Sequence, residues 1–99
     1  MIISVIGSGG KTTYIHELKD KYVSLNKSVL MCTTTHMLIE EGTLVDPSYD
    51  EIMHRIEIYG YCHVGNRCDE FKIGALDEDS LNRLKQVVDV ILIEADGSK

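Results

Sequence analysis

Seven consecutive residues, Gly7-Ser8-Gly9-Gly10-Lys11-Thr12-Thr13, have the types that an oxyanion needs around it. Glycines permit φ > 0 and let backbone N–H groups turn inward on an anion. A helix opening near Lys11 adds unpaired N–H groups and the positive end of its dipole. Lys11 then reaches the β- and γ-phosphates of a nucleotide, the Thr12 hydroxyl is placed to ligate Mg²⁺, and Thr13 falls near the α-phosphate. The spacing is G-x-x-G-K-T-T, shorter than G-x-x-x-x-G-K-[ST], which would need glycine where Val5 stands. A glycine-rich turn can also merely join a strand to a helix. Its position after an apolar strand and before an amphipathic helix favours phosphate.

A second group is acidic. The apolar run Ile91-Leu92-Ile93 empties into Glu94-Ala95-Asp96-Gly97. A carboxylate at such a strand end holds Mg²⁺ directly or through water, opposite Thr12. Glu94 is nearer the strand and Asp96 sits one pleat further on the same side. Metal ligand and water-positioning base stay open between them, and with Lys11 they form the candidate catalytic set. A solvated Asp-Gly turn is the plainer alternative.

A third group, Thr33-Thr34-Thr35-His36, could lend hydroxyls and an imidazole to the γ-phosphate, to Mg²⁺ or to a substrate, with Thr34, Thr35 and His36 the substrate candidates. Threonines are equally good strand residues. Cys62, His63 and Cys68 lack the paired spacing of zinc ligands.

These groups need elements to hold them. Residues 2–6 form a β-branched run that reads as a buried strand. Residues 11–25 place Tyr14, Ile15, Leu18, Tyr22 and Leu25 on one helical face. Residues 28–33 read as a second strand, and 37–45 as a short strand or loop around Gly42. Asp46-Pro47 looks like a helix cap followed by proline in the first turn; Tyr49, Ile52, Met53, Ile56 and Tyr59 keep the helical period to a stop at Gly60. Residues 61–64 suggest a third strand and 71–76 a loop or irregular extended piece. Asp77 caps a helix burying Leu81, Leu84 and Val88, and 88–93 is the last strand. Alternation of this kind predicts an α/β fold: a three-layer, mainly parallel sheet with helices on both faces, like that of P-loop NTPases. The three chemical segments all follow strands, so they should converge on the sheet's carboxyl edge.

Bulk properties fit one domain spanning 1–99. A hydrophobic share of 43% belongs to a folded globular chain, and ten Lys and Arg scattered among sixteen acids (net −6) argue against nucleic acid as partner. No apolar run reaches the roughly 18 residues of a membrane span, and the start is not that of a signal peptide. An odd count of three cysteines suits a reducing compartment. The expectation is a cytoplasmic protein whose nucleotide base and oligomeric state are open.

The short phosphate loop resembles those of Mur ligases and of the MinD/ArsA-like class, although Ile6 stands where the latter carry an extra lysine. Taken with Cys32-Thr33-Thr34-Thr35-His36, Lys72-Ile73-Gly74 and Ile93-Glu94-Ala95-Asp96-Gly97-Ser98, the whole chain resembles the YqeC-like family, whose members are described as selenium-dependent hydroxylase accessory proteins. The resemblance implies Mg²⁺ and a nucleoside triphosphate, ATP or GTP, as ligands. The phosphate role carries over to Gly7, Gly10, Lys11 and Thr12, and the metal role to Glu94 and Asp96. Its implied partner is a molybdenum hydroxylase or an enzyme making its cofactor. Such proteins continue past the acidic motif, so a shortened member, with its site to be completed elsewhere, is expected. A nucleotide-binding module that acts by contact without turnover, and a Mur-ligase-like fragment, are the competing readings.

Overall fold

The structure, a computed structural model, describes residues 1–6, 11–34, 36–39 and 42–95, and at 11, 12, 37 and 38 the backbone alone. Four parallel strands form its centre: β1 (Ile2–Val5), β7 (Val90–Glu94), β2 (Val29–Thr33) and β5 (Tyr61–Arg67), side by side in that order. All five residues of β2 and all five of β7 are buried. Near-continuous apolar sequence is what a strand covered on both faces requires.

Alternation along these strands divides the core in two. Val29, Met31, Val90, Leu92 and Val5 face α1 (Lys11–Ser24), which contributes Ile15, Leu18 and Tyr22. Leu30, Cys32, Ile91 and Ile93 face the opposite way, toward Ile52 and Ile56 of α2 (Tyr49–Tyr59) and Leu84 of α3 (Glu78–Lys85). Helices therefore cover both faces, as expected. The predicted face of α1 is narrower than its period suggested, because Tyr14 and Leu25 are 51% and 56% exposed.

Three short strands complete the sheet. β3 (Met37–Leu38) pairs antiparallel with β6 (Lys72–Gly74), and β6 antiparallel with the end of β5. β4 (Leu44–Val45) runs parallel to β5 at Val64 and Gly65. The Gly60 carbonyl accepts from Val29 N–H at 3.0 Å, so the even-numbered backbone groups of this strand face β2. Gly65 and Arg67 face the other edge, where Asp46 N–H donates to Gly65 O at 2.9 Å and Arg67 N–H donates to Asp46 Oδ1 at 3.0 Å. β4 is thus the outermost parallel strand. α1 carries the chain outward along the sheet, whereas α2 and α3 carry it back. Right-handed connections running in opposite senses must lie on opposite faces, as these do.

Two expectations need correction. Asp46 does not cap α2: its φ is +51° and its carboxylate is spent on Arg67. The cap is Ser48, whose Oγ accepts from Glu51 N–H at 3.1 Å while Glu51 Oε1 accepts from Ser48 N–H at 2.9 Å. The piece at 71–76 contains a strand, and β5 runs three residues beyond Val64. Both were hidden by the turn joining them, in which Asp69 accepts from Phe71 N–H and the Arg67 guanidinium holds the Asp69 and Glu70 carbonyls. The stops at Gly60 (φ +84°) and the cap at Asp77 are as predicted. After Ser24 the turn that closes α1 carries Asn26 at φ +62°, with Lys27 N–H on Tyr22 O and Asn26 N–H on Val23 O, each 3.0 Å.

Candidate functional site at the carboxyl edge of the sheet

Backbone register brings the ends of three strands together. Val5 of β1 and Thr33 of β2 are both paired with Glu94, from its two sides. Ala95 N–H donates to Val5 O, and Thr34 N–H to Glu94 O, each at 3.0 Å. The Thr33 hydroxyl also donates to Glu94 O at 2.8 Å, and Thr33 is 1% exposed. The acidic strand end is therefore fastened directly beside the exit of β1, from which residues 7–10 lead into α1.

Which way the carboxylate points follows from the same alternation. Glu94 has the parity of Val90 and Leu92, and Thr33 that of Val29 and Met31, all of which face α1. Glu94 is 8% exposed. Its side chain thus leaves the sheet on the face covered by the helix that starts at Lys11. The first turn of α1 contains no acidic residue to neutralise its positive end. The oxygens of Glu94 and Thr33 are hard donors of the kind Mg²⁺ takes.

Of the predicted residues, Gly7, Ser8, Gly9, Gly10, Thr35 and Asp96 lie outside the described residues. Lys11 and Thr12 open α1 as expected, and Thr13 follows them on an exposed turn. Thr34 and His36 are exposed just past β2. His36 lies against β6, its Cδ2 3.4 Å from where a Cβ on Gly74 would stand. The threonine most firmly built into this edge is Thr33. Its parity with Val29 and Met31 was the signal that could have singled it out.

The remaining nucleophiles lie elsewhere. Cys32 and Cys62 are buried in the α2–α3 core, and burial pushes both thiols up to about 12, with Arg55 pulling weakly the other way on Cys62. They stay protonated and inert near neutrality. Cys68 is exposed. His63 meets the Thr43 hydroxyl, Nδ1 to Oγ1 2.7 Å, on the face of β5 opposite Cys62. Among the described residues no three His, Cys, Asp or Glu side chains stand together as a metal group. Nor is any described helix long and apolar enough to cross a membrane. A cleft of about 380 Å³ lies away from this edge, between α1, α2 and β5.

The protein called "Uncharacterized protein YqeC" of Escherichia coli (strain K12) is 30% identical over 105 residues, which cover 99% of this chain and 41% of that protein. The chain thus spans about two fifths of that relative's length. No solved structure matches it. The YqeC protein family matches residues 3–99, and the chain belongs to that family.

Proposed function

We propose that this edge binds a Mg²⁺–nucleoside triphosphate, and that the protein is an accessory factor in the maturation of selenium-dependent molybdenum hydroxylases, working through NTP hydrolysis or phosphoryl transfer in the cytoplasm. The observation that supports the nucleotide reading is the placement of Glu94 beside the exit of β1, on the face of α1. A carboxylate-bearing strand end beside a strand whose chain next opens a helix is the frame on which phosphate recognition is built. In this reading the amides of Gly7, Ser8, Gly9 and Gly10 hold the phosphates and Lys11 neutralises the β- and γ-oxygens. The Thr12 hydroxyl and the carboxylates of Glu94 and Asp96 hold Mg²⁺, with Thr13 at the α-phosphate. Bound Mg²⁺ supplies charge neutralisation of the phosphates. Thr34, Thr35 and His36 line the way in for a second substrate.

The test is a thermal-shift titration with Mg-ATP and Mg-GTP. A ligand at 100 times its Kd adds about 2.7 kcal/mol, which raises the melting temperature of a domain this size by on the order of 10 °C. Lys11→Ala should abolish the rise. If neither nucleotide moves the wild-type transition, the reading fails. Phosphate release that vanishes in Lys11→Ala separates an NTPase from a module that binds without turnover.

A further inference from the structure

We infer that the cleft between α1, α2 and the amino half of β5 is a second ligand site, for a small molecule joining an oxyanion to a flat ring. The cleft encloses about 380 Å³ and is lined by His16 and Lys19 of α1, Arg55 and Tyr59 of α2, and Tyr61 and His63 of β5. That volume is in the range of small-molecule pockets. In a chain of net charge −6, two cations and two imidazoles meet on one concave surface, and no carboxylate among the described residues lines it. Such a surface concentrates field and attracts anions whatever the global charge.

The cationic groups are held in place before any ligand arrives. The Lys19 ammonium lies 4.4 Å from the centroid of the Tyr61 ring, with its side chain only 15% exposed. Arg55 lies 5.7 Å from the Tyr59 ring and donates to Gly42 O at 2.9 Å. The two tyrosine rings are 6.5 Å apart and tilted by 55°. The Thr43 hydroxyl fixes the His63 ring through Nδ1. The rings supply the apolar surface against which a flat group packs, and the guanidinium supplies a planar fork for an oxyanion. Lys19 also pairs with Asp20 at 2.7 Å, but Asp20 is 73% exposed at the rim, and an exposed pair is weak competition. The site shares no described residue with the carboxyl edge of the sheet.

Phenyl phosphate is the probe, titrated by NMR against inorganic phosphate and phenol. Saturable shifts of the His16 and His63 ring signals are expected, with NOEs from the phenyl protons to Tyr59 and Tyr61, and weaker binding of each half alone. Arg55→Gln and Lys19→Met should each weaken binding at least tenfold. Asp20→Asn, which removes the rim competitor, should tighten it roughly two- to fivefold. Lys11→Ala should leave it unchanged, which keeps this site distinct from the phosphate loop. Absence of NOEs to the two tyrosines in the wild type, or equal binding by Arg55→Gln and Lys19→Met, overturns the proposal. So does binding that disappears in Lys11→Ala.

Discussion

Gly65 sits in the middle of β5 where no side chain fits. A Cβ built there lies 2.6 Å from Ile73 Cδ1, 2.8 Å from Ile73 Cβ and 2.9 Å from Gly74 O. The first contact can be relieved by rotating the isoleucine. The second and third cannot, because they involve the branch point and the backbone of β6. Relief requires moving β6, and with it the fully buried Ile73, away from β5. Overpacking of this kind costs about 1–3 kcal/mol; the stiffer unfolded chain returns about 0.4–1 kcal/mol. Gly65→Ala should therefore lose on the order of 1–2 kcal/mol, or roughly 5–15 °C in melting temperature. Thermal unfolding followed by circular dichroism measures the loss. A double-mutant cycle with Ile73→Ala locates it: the paired change should cost less than the sum of the two by about 0.5–3 kcal/mol. Because β6 carries Gly74 against His36, the His36 ring signals should shift as well. A Gly65→Ala protein melting within a degree of wild type, or strict additivity in the cycle, would refute the steric argument.

Ser48→Ala removes the hydroxyl that receives Glu51 N–H and should cost about 1 kcal/mol, read as a melting point lower by roughly 4–8 °C. Under native conditions a thiol reagent should label Cys68 and spare Cys32 and Cys62, with all three reacting after unfolding; fast labelling of Cys32 in the folded protein would contradict its burial. Backbone N–H groups donated by Ser48, Ser80 and Ser28 hold the carboxyls of Glu51, Asp77 and Asp89 below their ordinary values. Groups lowered in the folded state stabilise it above the ordinary carboxylate range, near pH 4, and that stability drains away as pH falls below it. The melting temperature should drop across that window, and less steeply in Asp89→Asn.

The parallel centre was readable because its signals are local. β2 and β7 are runs of apolar residues, and α2 and α3 keep their period, α2 stopping at Gly60 and α3 starting after its cap Asp77. What escaped reading depends on partners distant in sequence. β3, β4 and β6 are two or three residues long and exist only through pairing with β5 or with one another. Asp46 resembles a cap until Arg67, 21 residues on, claims its carboxylate. Gly65 looks like a strand end when it is in fact the place where the Ile73 side chain of the neighbouring strand fills the space of a Cβ. At the candidate site, the acidic strand end and the helix start at Lys11 were legible as motifs. That Thr33, more than Thr34 or His36, belongs with Glu94 emerged only from which face each strand residue presents. The cleft beside Tyr61 carried no motif at all, since its six principal residues come from three elements.

The division of the core by the central strands makes the sheet a partition between two sides with different tolerances. Glu94 and Thr33 open onto one side; Ile52, Ile56 and Leu84 pack on the other. Substitutions among those three can lower the melting point while leaving the acidic edge in register, because β1, β7 and β2 hold one another through their own ladders. Changes at Ile15 or Leu18, by contrast, tilt the helix that covers the face onto which Glu94 opens. Variation on the α2–α3 side should therefore be read out as abundance, and variation on the α1 side as altered affinity for the nucleotide proposed above.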